Sequence, residues 1–214
     1  MNMSGIWKNN RFLIVFIFLM VLFRTSFADW NTVPTGSMKP TIQEGDRIWV
    51  NKLAYDLKVP FTNLTLKKFS DPKRGDIIIF ESEKAGKRLV KRVIGIPGDI
   101  ISMHNNIVSI NNQKLNYKII EQHENKFIAE EKYEQLRYHI QLNKYSTNNS
   151  SFNNVKIPKN YYLVLGDNRD NSADSRFIGL IPRNDIIGRS QHVVMSLNYE
   201  NYYLPRLNRF FHKL

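Results

Sequence analysis

Three stretches of this chain carry side chains that could do chemistry together. The first is Pro34-Thr35-Gly36-Ser37-Met38-Lys39-Pro40-Thr41. A serine fenced by glycine and two prolines sits in a stiff, non-helical loop, because proline fixes φ and withholds a donor. By itself that is also the composition of an ordinary turn. The second is Leu89-Val90-Lys91-Arg92-Val93-Ile94-Gly95-Ile96-Pro97-Gly98-Asp99, where a lysine interrupts an apolar, β-branched run. In a strand Lys91 and Arg92 point to opposite faces, so one of them is directed at whichever face is buried. Burial disfavours the ammonium form and lowers a lysine pKa, which is one route to a neutral amine able to act as a base. An edge strand with both side chains in water fits this segment equally well. The third is Asp167-Asn168-Arg169-Asp170-Asn171-Ser172-Ala173-Asp174-Ser175-Arg176, directly after an apolar run and Gly166. Its alternating carboxylates and guanidinium groups suit a network of buried ion pairs and turns. Calcium is the rival for such a run. An EF-hand loop needs oxygen ligands at alternate positions, a Gly at six and a Glu at twelve. Counted from Asp167, position three is Arg169; counted from Asp170, position six is Ser175 and position twelve is Ile181. Both registers fail.

Other chemistries find less support. The chain has no cysteine, which excludes a thiol nucleophile, a disulfide framework and a zinc–thiolate site. His104, His123, His139, His192 and His212 lie in no recognisable catalytic context and read as surface or structural residues. There is no H-E-x-x-H, no Walker loop and no G-x-S-x-G. Ser70-Asp71-Pro72-Lys73 is formally S-x-x-K, but it straddles a proline and lacks the partner motifs of the penicillin-binding enzymes. No metal or organic cofactor is expected.

These residues need elements to hold them. Phe12 to Phe23 is an unbroken apolar run of twelve residues, with Lys8 and Arg11 before it and Arg24 after it. As a helix it covers about 18 Å, short of a ~30 Å hydrocarbon core. Residues 25–30 would lengthen the span, Arg24 could snorkel, and Trp7 and Trp30 stand where interfacial aromatics belong. The expectation is one N-terminal transmembrane helix, an anchor over residues 1–28, with the N-terminus inside and the bulk of the chain outside. The rival is a cleavable signal peptide ending at the small-x-small site Ser26-Phe27-Ala28. A formal net charge of +12 fits an anionic phospholipid surface. Nothing has zinc-finger spacing or a basic region followed by heptads, so no nucleic acid partner is expected.

Beyond Trp30 the pattern is mostly strand. Arg47 to Val50, Asp76 to Phe80, Leu89 to Ile96, Tyr161 to Leu165 and Val193 to Leu197 are β-prone runs bounded by turn residues. Ile100-Ile101 and Ile107 to Ile110 flank His104-Asn105-Asn106 as a hairpin, and Asn111-Asn112 is a further turn. This predicts an all-β fold. Residues 103–158 are richer in Asn, Lys, Glu and Gln and read as an insertion between two parts of a core, 29–102 and 159–200. Within it Phe127 to Arg137 reads as a short helix, and Tyr145 to Asn154 as a loop tip. The tail, residues 201–214, mixes aromatics with Arg206, Arg209 and Lys213. It either lies on a membrane surface or packs as a basic terminus.

Four segments in this order resemble the bacterial type I signal peptidases, membrane-bound serine endopeptidases with a Ser–Lys dyad. They are Pro34 to Thr41, Gly45 to Val50, Arg74-Gly75-Asp76 leading to Lys91 through Asp99, and Gly166 to Arg176. The resemblance covers Val33 to Arg176 with the insertion unmatched, and its last segment is very specific. It implies a mainly antiparallel β catalytic core with an inserted β-rich cap. It implies Ser37 as nucleophile, Lys91 as general base and later general acid, and Ser172 as a hydrogen-bond partner orienting the amine. Thr35, where many members carry serine, would join the Ser37 N–H in an oxyanion hole. Asp167, Arg169, Asp174 and Arg176 would be structural, fixing the loop that carries Ser172. Shallow pockets for small side chains would lie beside Ser37, with Met38 and Val90 as candidate lining. The implied substrates are signal peptides of exported preproteins, cut after Ala-x-Ala at the outer face of the bacterial cytoplasmic membrane. Two departures stand out: one membrane span where some members have two, and an insertion without the disulfide of others. A specialised maturase of the same chemistry, such as one for conjugative pilin precursors, is the alternative reading. The intact Ser37, Lys91 and Ser172 argue against an inactive membrane-tethered binding module, and the first thirty residues against a self-cleaving repressor.

Overall fold

A computed structural model of the chain describes residues 3–26, 28–59, 62, 64–145 and 150–214. At 3–9, 22–26 and 28 only the backbone is described, so the side chains of Trp7, Lys8 and Arg24 lie outside the described residues, as does Phe27 of the small-x-small site. Part of the expected loop tip, 146–149, lies outside them too.

The molecule is mostly β. Its largest sheet runs Ala28–Thr32, Asp46–Asn51, Ile186–Asn198, Ile77–Ser82, Lys87–Gly95, Tyr161–Leu165, Ile181–Pro182, with Leu204–Pro205 added to Ile186–Asn198. Every pairing in it is antiparallel. Ile77–Ser82 lies between two neighbours and is covered on both faces, which is why it reads as a continuous Ile-Ile-Ile-Phe run and not as an alternating one. The same holds for Tyr161–Leu165, buried from Tyr162 onward.

The insertion is also β. Ile100–His104 pairs Ile107–Ile110 across a two-residue turn in which Asn105 and Asn106 both take positive φ, 48° and 65°. Asparagine tolerates that region better than other non-glycine residues. Asn111 and Asn112 make a second such turn. Phe152–Lys156 closes the insertion by pairing back onto Ile100–His104. The helix expected at Phe127 to Arg137 is not formed. That segment lies in an antiparallel hairpin, Lys126–Tyr133 against Leu136–Asn143, turning at Glu134 with φ 53°. The local Ala-Glu-Glu-Lys composition favours helix, but period-two burial wins: Ala129 and Glu131 face inward while their neighbours do not. Nor does the insertion have a core of its own. Met103, Val108, Ile110, Ala129 and Ile140 pack in one cluster with Ile94, Leu163 and Leu165 of the largest sheet.

A second cluster, with Val33, Met38, Ile42, Ile48, Ile79 and Val193, lies under the loop that carries Ser37. The tail is tied down by two arginines: buried Arg209 pairs with Asp46 at 2.6 Å and Arg206 donates to the Glu44 carbonyl at 2.8 Å, while Tyr202, Tyr203, Leu207 and Phe211 stay exposed. The N-terminal helix, Met3–Ser26, has 24 residues and runs into the edge strand Ala28–Thr32. Phe12 through Val21 are all exposed on it. Among the described residues no helix is long and apolar enough to cross a membrane.

Candidate active site

Strand alternation separates the side chains of Lys87–Gly95 into two sets. Lys87, Leu89 and Lys91 face a cleft of about 550 Å³ that Ser37 and Ser172 also line. Arg88 turns the other way to Glu81, Val90 packs into the cluster under the Ser37 loop, and Arg92 runs to Asp167. Neither Lys91 nor Arg92 is solvated, at 2% and 5% exposure, so the reading with both side chains in water does not hold.

Lys91 Nζ donates to Ser37 Oγ at 2.6 Å and to the Val90 carbonyl at 3.0 Å. Burial lowers its pKa to about 8. Asp174 and Asp167 oppose that shift, while Lys87 and Arg176 add to it. Desolvation is the largest effect because the side chain is almost wholly removed from water. About a tenth of Lys91 is therefore neutral at pH 7, far more than for a free lysine, with a serine hydroxyl in reach. Such a contact has the geometry that a hydroxyl nucleophile and an amine base need, without histidine.

The acidic and basic run after Tyr161–Leu165 explains how the two loops are held. Asp167 accepts from Arg92 Nε at 2.8 Å and Nη2 at 2.7 Å, and from the Thr41 hydroxyl at 2.5 Å. Asn168 then grips the nucleophile loop directly: its backbone N–H donates to the Ser37 carbonyl at 3.1 Å and its side-chain amide to the Gly36 carbonyl at 3.0 Å. Asp174 accepts from the Gly166 N–H at 2.9 Å and pairs with Arg176 at 2.7 Å. Arg176 also donates to the Arg169 carbonyl. Arg169 makes a bidentate pair with Glu131 at 2.6 and 2.7 Å, both side chains fully buried. The Tyr138 hydroxyl donates to the same carboxylate. Glu131 comes from the insertion, and no local motif marks it; only the hairpin pairing brings it to Arg169.

Gly166 is the meeting point. A Cβ there would stand 2.2 Å from Ser172 Oγ and 2.5 Å from the Ser37 carbonyl, so only glycine lets the strand end, the nucleophile loop and Ser172 approach so closely. Ser172 is buried beside the pair, but its Oγ makes no hydrogen bond among the described residues. The expected bond to the Lys91 amine is thus not made; the amine is held by Ser37 and the Val90 carbonyl instead. Thr35 is exposed at the cleft wall next to Gly36 and Ser37, as an oxyanion donor would be. Met38 and Val90 do not line this cleft. Met38 is 1% exposed and packs with Ile42 and Ile48, because the turn after Ser37 directs it inward as the anchor of its loop.

Comparison with known proteins bears on what this arrangement acts on. A family model described as signal peptidase, peptidase S26, matches residues 6–195. Signal peptidase I of Buchnera aphidicola subsp. Schizaphis graminum is 32% identical over 84% of this chain and 72% of its own length. Signal peptidase I P of Bacillus subtilis subsp. natto is 33% identical over 87% of both chains. Signal peptidase I of Pseudomonas aeruginosa is 29% identical over 84% of this chain and 69% of its own.

Proposed function

Because the chain belongs to the peptidase S26 family of signal peptidases, we propose that it removes signal peptides from exported preproteins after small-x-small sites, with Ser37 as nucleophile and Lys91 as base. The observation that carries this is the 2.6 Å contact between Lys91 Nζ and Ser37 Oγ on an amine with 2% exposure. Neutral Lys91 takes the hydroxyl proton as Ser37 Oγ attacks the scissile carbonyl. The oxyanion is met by the Ser37 N–H and the Thr35 hydroxyl. The lysine then protonates the departing amine, leaving an acyl-enzyme that water hydrolyses with Lys91 as base once more.

The backbone supports peptide binding in extended form. Lys87–Gly95 pairs Ile77–Ser82 from Lys87 to Arg92, but pairs Tyr161–Leu165 only from Arg92 onward. Among the described residues no strand covers its second edge at 87–91, and a substrate strand can add there by backbone hydrogen bonds.

The helix Met3–Ser26 is the membrane anchor in this reading. Its exposed apolar run, Phe12 to Val21, rises only about 15 Å, so the span also draws on the flanking residues of the helix. The protein is then a single-pass protein of the bacterial cytoplasmic membrane with the catalytic domain on the outer face. The positive net charge favours contact with anionic phospholipid. Ser37 follows the helix by eleven residues, which keeps it close to the interface where a signal peptide's cut site emerges.

The test uses full-length protein in detergent with a preprotein bearing an Ala-x-Ala site. Cleavage at that site, lost in Ser37→Ala and in Lys91→Ala while both remain folded, is the expected result. Cleavage that survives in folded Lys91→Ala would remove the base assignment, and a folded wild type that leaves the site uncut would remove the substrate class.

A further inference from the structure

The cleft carries more charge than the dyad uses, and nearly all of it is committed. Arg169 is paired with Glu131, and Arg176 with Asp174. Asp170 accepts from the Asn106 side-chain amide at 2.9 Å and from the Asn143 N–H at 2.8 Å. Lys91 is bonded to Ser37. Lys87 is exposed and lines the same cleft, and its ammonium takes part in no hydrogen bond or ion pair among the described residues. It stands on the same strand face as Lys91, four residues away, a distance of about 13 Å along the strand. The strand edge from Lys87 to Lys91 is also the uncovered one. A peptide paired along that edge with its scissile bond at Ser37 places a side chain near Lys87 about four residues from the cut. Leu89 and the 54%-exposed Phe177 wall this end of the cleft, so the ammonium faces the peptide across partly apolar surroundings.

We propose that Lys87 is a specificity-determining residue that favours a carboxylate, and disfavours a cation, about four residues from the scissile bond of the preprotein. This rests on the Ser37–Lys91 reading of the site. The pairing is solvent-accessible, so its effect is modest, about two- to fivefold in kcat/KM, and it is screened by salt. It acts on binding of substrate and transition state alike, and so is carried by KM and not by kcat.

The experiment takes full-length protein in detergent and one preprotein with an Ala-x-Ala site. Variants carry a single Glu or a single Lys at each of positions four to six before the cut and three to six after it, so that the Ala-x-Ala site stays intact. In wild type the Glu-to-Lys ratio of kcat/KM should peak at one position about four residues from the cut, on one side, and flatten at high salt. Lys87→Ala should level that peak and Lys87→Glu should invert it, each measured as a ratio within the same enzyme. A ratio flat across all positions in wild type overturns the assignment. So does a peak that Lys87→Glu leaves unchanged, which would mark Lys87 as an ordinary solvated lysine. If wild type leaves the neutral reference preprotein uncut, the earlier reading fails and this assignment goes with it; cleavage lost in Ser37→Ala shows that the earlier reading stands.

Discussion

Replacing Lys91 with Met should make the protein more stable at neutral pH while removing its activity. The lysine titrates near 8 when folded, against 10.5 for a free side chain. A group whose pKa falls on folding destabilises the native state wherever it must be charged. Below pH 8 both states bind the proton and the full cost is present. Between pH 8 and 10.5 the unfolded chain holds the proton and the folded chain does not, so stability rises with pH across that window. The difference of 2.5 pH units corresponds to about 3 kcal/mol at neutral pH, of which less than about 1 kcal/mol remains at pH 10. Methionine keeps the volume and the apolar contacts but loses the hydrogen bonds to Ser37 Oγ and the Val90 carbonyl, about 1 kcal/mol. Lys91→Met should therefore be about 2 kcal/mol more stable than wild type at pH 7, and no more stable at pH 10. Urea unfolding of both proteins in the same detergent, followed by tryptophan fluorescence at the two pH values, measures this. Other titrating groups cancel in the difference between the two proteins. On the same argument wild-type kcat/KM should climb about tenfold per pH unit below 8 and level off above it. A stability difference that does not change with pH, or an activity midpoint near 10.5, would refute the claim that burial lowers the pKa of this amine.

Gly166→Ala should cost about a hundredfold or more in kcat, because its Cβ cannot fit beside Ser172 Oγ and the Ser37 carbonyl without moving the nucleophile loop; single-turnover cleavage of a preprotein measures it. Glu131→Gln leaves the Arg169 guanidinium buried without its counter-charge and should lower stability by about 3–5 kcal/mol, read from urea midpoints, whereas Glu131→Leu combined with Arg169→Met should recover much of the loss. Lys87→Ala removes a positive charge that depresses the Lys91 pKa, so the midpoint of the pH–activity profile should move to the alkaline side; a shift to the acid side, or none, would contradict that electrostatic reading.

Much of the site was legible in the chain because its determinants are local. A proline- and glycine-bounded loop presents Ser37, and period-two alternation alone puts Lys91 and Arg92 on opposite faces. The Asn105-Asn106 hairpin and the buried isoleucine run follow from the same short-range rules. What the chain left open is what depends on contacts between distant residues. Ser37 and Lys91 are 54 positions apart, and the amine's pKa falls only because the tertiary fold buries it beside Ser37. The Phe127 to Arg137 segment has a helix-favouring composition, yet it is a hairpin because pairing buries Ala129 and Glu131 together. Met38 turned out to be a core residue and not a pocket wall, since its direction is set by the packing of Ile42 and Ile48 against it. Glu131 carries no motif at all. Its role arises where the insertion folds back and meets Arg169 in the dry interior, and there a lone carboxylate becomes a fixed strut because neither charge of the pair can be left there uncompensated.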